Sequence, residues 1–193
     1  SLSVTAMGQV ARGQALRRDR AQVGDDIWVS GTLGDAAGAL QLWQRGELNI
    51  ATATVLGDYE TLRLRLLRPT PRVTLGLRLR AFAHAAVDIS DGLLADLGHI
   101  AARSGVRAEV DADALPMSSA LRELLGRDGA RDCALHGGDD YELCFTAAAD
   151  QRDALHFVAE SLDLPITRIG RIMEGQGVHT EGHDGPSGYE HFA

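Results

Sequence analysis

Residues 85–96, AAVDISDGLLAD, join a predicted strand to a predicted helix and decide how the rest of the chain is interpreted. The run Ala85–Ile89 is typical of a short buried strand. Apolar side chains then recur at helical spacing, at Leu93, Leu94, Leu97 and Ile100. This spacing predicts a helix that continues to Arg103, and we expect Ser90 or Asp91 to cap its first turn.

The same junction concentrates oxygen-bearing side chains beside the start of the helix, at Asp88, Ser90, Asp91 and Asp96. Carboxylates suit a hard cation, and the backbone amides of a first helical turn attract anions such as phosphate. Asp and Ser are also ordinary helix caps, so the motif considered alone favours a structural role. The neighbouring motifs are therefore needed to decide.

A second acidic cluster, GGDDYE, occupies residues 137–142. Its two glycines permit unusual backbone angles and close approach of a ligand. In an extended conformation Asp140 and Glu142 would share one face, and Asp139 and Tyr141 the other, so only part of the cluster can serve one site. The structural alternative is a hairpin or bulge with solvated acids.

Weaker signals occur earlier in the chain. The GTLGD turn at 31–35 lacks the lysine of a phosphate-binding P-loop, so we expect Gly34 to allow tight packing of the next helix on the sheet. Arg18 could clamp a nucleotide phosphate, because its fork fits phosphate oxygens, or it could be a solvated surface residue. The arginines between 63 and 80 alternate with leucines, which favours a solvated helix face.

Strands and helices alternate irregularly along the chain. Strands are predicted at 1–10, 27–30, 85–89, 106–110, 141–146 and 166–172, with a short one near Val178. Helices are predicted after Asp35 (with Ala36, Ala37, Leu40 and Trp43 as its apolar stripe), at 57–67, 71–83, 93–103 and 118–125, and from Asp150. Because two helices precede the Val87 strand, we predict an α+β fold, a layered α/β/α domain with a mixed sheet.

Composition limits the function. The 193 residues are 45% hydrophobic and 24% charged, as in an ordinary globular protein. The formal net charge of −8 argues against a general nucleic-acid binder, but not against an anionic ligand held with a metal. Cys133 and Cys144 form no CxxC pair, and we expect Cys144 to be a buried thiol. No membrane span or signal peptide is evident, so the expected location is the cytoplasm.

Other chemistries are unsupported by the spacing of their residues. The seven histidines lie in no metal-binding pattern, and we interpret all of them as structural or surface residues. No serine lies in a Gly-x-Ser-x-Gly elbow, so a hydrolase triad is not predicted.

Four motifs in order resemble one family: RPTPR at 68–72, AAVDISDGL at 85–93, GGDDYELCF at 137–145 and GYEHF at 188–192. They are similar to those of thiamine-monophosphate kinase, in the superfamily that includes aminoimidazole ribonucleotide synthetase and selenophosphate synthetase. The resemblance implies ATP-dependent phosphorylation of thiamine phosphate to thiamine diphosphate, with Mg2+. It also implies a fold like the C-terminal domain of aminoimidazole ribonucleotide synthetase.

The resemblance assigns a role to each matching position. It implies that Asp88 and Asp91 are magnesium ligands. It implies that Arg18 and Ser90 contact ATP. Asp139 and Tyr189 would contact the thiamine moiety; a carboxylate and an aromatic face both suit its cationic thiazolium ring.

The resemblance also predicts domain organisation. Residues 1–12 match a remnant strand of a missing N-terminal ATP- and magnesium-binding domain, and 13–193 match the C-terminal α+β domain. We therefore expect the chain alone to be inactive and the full-length protein to be a homodimer. Two alternatives remain open: another ATP-dependent member of the superfamily, such as a ribonucleotide cyclo-ligase, or a non-catalytic ligand-binding module.

Overall fold

The computed structural model describes residues 3–5, 7–51 and 56–180. In that part of the chain the strands are β1 (Asp26–Ser30), β2 (Ala83–Asp88), β3 (Arg107–Val110), β4 (Leu143–Ala147), β5 (Ile166–Met173) and β6 (Gly177–Thr180). The α-helices are α1 (Asp35–Gln44), α2 (Asp58–Leu67), α3 (Val73–Leu79), α4 (Leu93–Ser104), α5 (Ser119–His136) and α6 (Arg152–Leu162). Short 3-10 turns occupy Ala112–Ala114 and Ala149–Gln151.

The strands form one six-stranded sheet in the order β2-β4-β1-β5-β3-β6. Neighbouring strands are antiparallel except for the parallel pair β3 and β6, so the sheet is mixed, as predicted. These directions place the carboxyl ends of β1, β2, β3 and β6 at one edge, together with the first residues of β4 and β5. The edge where β2 ends also carries Asp88, one of the residues singled out by the sequence.

Helices cover both faces of the sheet, which confirms the layered α/β/α prediction. Alternation along β1 sends Ile27 and Val29 to a core shared with α4, and Trp28 to a second core with α3 and α6. A third apolar cluster joins α1, α2 and α5 through Leu42, Leu62 and other side chains.

The strand predicted over residues 1–10 is not formed in the described part of that segment. Residues 3–5 and 7–10 pair with no strand, and Val4 and Met7 are 85% and 95% exposed. Alternating apolar residues form a strand only where a neighbour supplies hydrogen bonds, and this segment has none here. The assignment of residues 1–12 to another domain therefore stays a prediction.

Three helix predictions also need correction. The helix predicted at 71–83 is shorter, because α3 ends at Leu79 and Ala83 already belongs to β2. The α5 helix continues past Leu125 to His136, through a non-helical residue at Gly126 (φ 71°) that divides the apolar pattern. The predicted apolar stripe of α1 was right only in part: Ala36 is buried, but Trp43 is 47% exposed, and the other buried apolar residues are Gly38, Ala39 and Leu42. Small residues let α2 and α5 pack closely on α1, so the largest apolar side chain lies outside the contact.

Candidate functional site

The two acidic motifs meet at the carboxyl end of β2. The pairing of β2 with β4 continues beyond the strands: the Ile89 amide donates to the Glu142 carbonyl (2.8 Å), and the Tyr141 amide donates to the Ile89 carbonyl (2.8 Å). The Asp139 amide donates to the Ser90 carbonyl (3.0 Å). Gly138 allows this contact, because a Cβ there would lie 2.4 Å from the Ser90 carbonyl oxygen. Segments 88–91 and 139–142 therefore lie side by side.

The described residues that the sequence nominated lie on or beside these two segments. Asp88 and Asp139 are exposed, and Ser90 and Asp91 are half-buried. A guanidinium nitrogen of Arg18 lies 4.0 Å from a carboxylate oxygen of Asp88. Tyr189 lies outside the described residues.

The metal-binding prediction for Asp88 and Asp91 can be compared with their surroundings. Among the described residues, no three or more His, Cys, Asp or Glu side chains are grouped to hold a metal ion. Magnesium, however, is commonly held by one or two carboxylates, while phosphate oxygens and water complete its octahedral shell. Two accessible carboxylates at one edge fit that mode of binding.

The third acid of the junction has a different role. Asp96 is buried, and its Oδ2 accepts hydrogen bonds from the amides of Ser90 (2.9 Å) and Asp91 (3.0 Å). Burial raises the pKa of this carboxyl, while the two amide bonds act in the opposite direction. The expectation that Ser90 or Asp91 caps α4 was wrong, because the N-cap is Gly92 and no side chain caps it. Asp96 instead ties the loop to the helix.

Glu142 anchors the second segment from inside the protein. Its side chain is 0% exposed and accepts hydrogen bonds from Ser30 Oγ (2.5 Å), Arg65 Nη2 (2.9 Å) and two nitrogens of Arg72 (2.6 and 2.7 Å). A buried charge is tolerated only when paired and hydrogen-bonded, and here both oxygens are. The interpretation of these arginines as a solvated helix face was wrong for Arg65 and Arg72, each 18% exposed.

Asp140 is a second buried anchor. One of its carboxylate oxygens accepts from the Gly34 amide (2.8 Å), and the other has no partner. Burial raises its pKa to about 7, against the opposing effect of the Gly34 bond and Arg65. Gly34 itself allows tight packing as expected, but against α5 rather than the sheet: a Cβ would lie 2.7 Å from the Ala134 nitrogen.

The two other residues of this turn, Asp139 and Tyr141, face outward. Asp139 and Tyr141 are exposed while Asp140 and Glu142 are buried, so the predicted alternation is confirmed. The backbone is not a strand, however, because Asp139 and Tyr141 have φ angles of 66° and 51°. The Tyr141 hydroxyl donates to Asp139 Oδ1 (3.1 Å), and this bond is the main reason that the pKa of the phenol is raised.

A cleft of about 570 Å³ opens beside this turn. Its walls are mainly apolar, with Leu16, Pro69, Pro71, Val73, Ala86 and Leu143 among the lining residues. Arg18, Arg72, Asp88 and Tyr141 supply its polar groups. An apolar cleft with a few charged groups at its rim suits a ligand that combines a flat ring with a charged group.

A larger cleft of about 850 Å³ lies elsewhere, beside β5 and the end of β3. Its lining includes charges of both signs, and Arg131 and Asp113 already pair there (2.7 Å). None of the described residues nominated by the sequence lines it.

Two further sequence observations have structural answers. Cys133 and Cys144 are both buried, as expected for Cys144, and burial raises the pKa of each thiol to about 12. Over residues 3–5, 7–51 and 56–180, no helix combines the length and apolar character that a bilayer span requires.

Comparison with known proteins gives a consistent result. Residues 22–182 match the family model for AIR synthase related protein, C-terminal domain. A thiamine-monophosphate kinase from Haemophilus influenzae is 44% identical over 177 residues, which cover 92% of this chain and 52% of that protein. The chain thus spans about half the length of this relative.

Solved structures agree. The crystal structure of a thiamine-monophosphate kinase from Stenotrophomonas maltophilia is 84% identical, with a TM-score of 0.90 over 92% of this chain and 56% of that one. A structure described as AaThiL complexed with AMPPCP and TMP is 36% identical, with a TM-score of 0.78 over 92% and 54% of the two chains. The chain therefore belongs to the family of the AIR synthase related protein C-terminal domain.

Proposed function

We propose that this chain is the C-terminal part of a longer enzyme, the full-length protein, that phosphorylates thiamine phosphate with ATP to give thiamine diphosphate. The observation that supports this most strongly is the meeting of segments 88–91 and 139–142 at one sheet edge. Asp88, Asp91 and Asp139 occupy that edge beside an apolar cleft. The similarity to thiamine-monophosphate kinases supports the same conclusion.

The two segments would bind different parts of the ligands. Asp88 and Asp91 would hold Mg2+, which when bound neutralises charge on the phosphates. Arg18 and Ser90 would contact ATP, Arg18 through a guanidinium that already lies near Asp88. Asp139 would attract the cationic thiazolium ring, and Tyr189 would offer it an aromatic face.

The main role of these residues in phosphoryl transfer would be to position the reactants. The acceptor is a phosphate that is already anionic, so no strong general base is required. Asp96 holds the backbone of Ser90 and Asp91, and Glu142 and Asp140 hold the turn that presents Asp139. Such groups lower the barrier by keeping the reactants aligned rather than by taking part in bond making.

Tyr189 is compatible with this arrangement on grounds of chain length. The β6 strand ends with Thr180 at the same sheet edge as Asp88, five strands away along the sheet. Five strand spacings are roughly 24 Å, and nine extended residues reach roughly 30 Å.

We further propose that the full-length protein is a cytoplasmic homodimer and that nucleic acids and membranes are not its partners.

Turnover by the full-length protein tests the proposal. With ATP, magnesium and thiamine phosphate we expect thiamine diphosphate, measured by chromatography. A panel with other phosphate acceptors and a ribonucleotide substrate separates this activity from that of a cyclo-ligase. Failure to form thiamine diphosphate, under conditions where a thiamine-monophosphate kinase from another species does so, rejects the proposal.

A further inference from the structure

Tyr141 combines an unusual backbone conformation with an exposed aromatic ring. Its φ angle of 51° is rare for an aromatic residue, and such strain persists where surrounding contacts enforce it. The side chain is 41% exposed, so it does not fill a core. The strained backbone therefore leaves this ring at the surface rather than in the core.

The contacts around Tyr141 fix the direction of its ring. On its N-terminal side Asp140 is bound to Gly34, and on its C-terminal side Glu142 is held by Arg65 and Arg72. Its own amide donates to the Ile89 carbonyl. With the backbone fixed at three successive residues, the ring lines the apolar cleft next to Asp88.

The polar end of the ring is also fixed. The hydroxyl donates to Asp139, so the carboxylate of that residue is joined to the phenol of Tyr141, which lines the cleft. A phenol that donates to a carboxylate has an electron-rich face, which favours a cation in contact with the ring. The nearby Arg72 does not compete for that face, because its guanidinium is committed to Glu142.

We propose that Tyr141 is a further substrate-binding residue, whose ring face contacts the cationic heteroaromatic ring of the acceptor and selects it over neutral rings of the same size. This inference rests on the proposed function. It adds a residue of the GGDDYELCF motif to which the resemblance assigned no role.

Three variants of the full-length protein test the inference. Tyr141→Asn removes the ring but tolerates a left-handed backbone, and Tyr141→Phe keeps the ring and removes the hydroxyl. Phe157→Ala is the control, because that ring is 71% exposed on α6 and does not line the cleft. We expect Tyr141→Asn to raise KM for thiamine phosphate about 10-fold, the size of one cation–π contact, with KM for ATP unchanged. Tyr141→Phe should change it by less than about 3-fold, and Phe157→Ala should leave it unchanged.

An unchanged KM in Tyr141→Asn overturns the inference, as does an equal loss in Tyr141→Phe. A rise in KM for ATP equal to that for thiamine phosphate also overturns it, since that result means a general distortion. If the wild-type protein makes no thiamine diphosphate, the proposed function fails before any variant is compared.

A measurement on the wild-type protein avoids dependence on folding of the variants. A phosphorylated N-methylthiazolium and the matching neutral thiazole are compared as inhibitors. We expect the cation to inhibit at least about 5-fold more strongly. Equal inhibition by the two compounds contradicts the selection of a cation.

Discussion

Two buried carboxylates in this domain, Glu142 before β4 and Asp26 at the start of β1, are held in nearly the same way. Each is 0% exposed and receives two hydrogen bonds from one arginine: Arg72 for Glu142 (2.6 and 2.7 Å) and Arg152 for Asp26 (2.6 and 2.9 Å). A second arginine lies near each, at 2.9 Å for Glu142 and 3.6 Å for Asp26.

The two pairs differ in what surrounds them. The arginines of Glu142 are 18% exposed, whereas those of Asp26, Arg152 and Arg168, are 47% and 49% exposed. Glu142 follows the strained residues of the candidate site, while Asp26 fastens the start of α6 to the sheet. The same chemical arrangement therefore supports the proposed binding site in one place and fastens a helix to the sheet in the other.

The largest expected difference between the regions comes from neutralising each carboxylate. Removing one partner of a buried ion pair costs about 3–5 kcal/mol, so Glu142→Gln should lower the free energy of unfolding by about that much. Asp26→Asn should cost less, because water can reach its half-exposed arginines. Urea unfolding measures both changes.

Activity should separate the same two variants more sharply. At a temperature where both are folded, Glu142→Gln should lower kcat/KM for thiamine phosphate in the full-length protein, and Asp26→Asn should not. Equal activity in the two variants would show that the Glu142 network has no special role in the site.

The next largest effect is expected at the exposed acids of the site. Asp91→Asn in the full-length protein should lower turnover by about 100-fold, as for other groups that stabilise transition-state charge, with a much smaller change in melting temperature. Asp113→Asn is the matched control, because this acid is 67% exposed and pairs with Arg127 and Arg131 away from the site. An unaltered magnesium dependence in Asp91→Asn would contradict its role as a ligand.

Asp96 should affect stability and activity through the backbone. Asp96→Ala removes the acceptor of the Ser90 and Asp91 amides in this half-buried loop, so we expect a loss of about 2 kcal/mol in the free energy of unfolding. Hydrogen exchange should show the same two amides losing protection. Retained protection at both would show that Asp96 does not organise the loop.

The last prediction concerns pH, and its effect is the smallest when it is counted per pH unit. Burial raises the pKa of Asp140 to about 7 in the native state, so between about pH 4 and 7 the native state holds a proton that the unfolded chain, with the ordinary pKa of Asp, releases. Because the native state binds more protons in this range, Asp140 lowers stability as pH rises from about 4 to 7, by at most about 1.4 kcal/mol per pH unit. The Asp140→Asn variant should show a flatter dependence in urea unfolding between pH 4 and 7. The same slope in variant and wild type would exclude Asp140 as its source.

Acid clustering drew attention to Asp88, Asp91 and Asp139, because such clusters are local in the chain, and the resemblance implied their roles, which stay predictions. The contacts that hold these segments could not be predicted in the same way. The pairing of Arg65 and Arg72 with Glu142 joins residues more than 60 positions apart, and helical spacing alone made both arginines look solvated. The one available signal was the pair of prolines in RPTPR at 68–72. They break the helical pattern before Arg72 and so indicate that Arg72 is not part of a regular helix face.

The fold shows the same contrast between features that are local in the chain and contacts between distant residues. The mixed sheet and its helical layers were predictable from alternation and spacing. The buried face of α1 was not, because small residues rather than Trp43 form its contact with α5. Nor could the sequence show that Asp96 accepts hydrogen bonds from the preceding loop, since an Asp side chain in the first turn of a helix can equally face solvent.

The central claim is that the acids of segments 88–91 and 139–142 form one ligand site. A crystal structure of the full-length protein with magnesium, a non-hydrolysable ATP analogue and thiamine phosphate tests it most directly. We predict a metal ion at about 2.1 Å from a carboxylate oxygen of Asp88 or Asp91, and the thiazolium ring in contact with Asp139. Binding of the metal and both ligands away from this edge of the sheet would contradict the account.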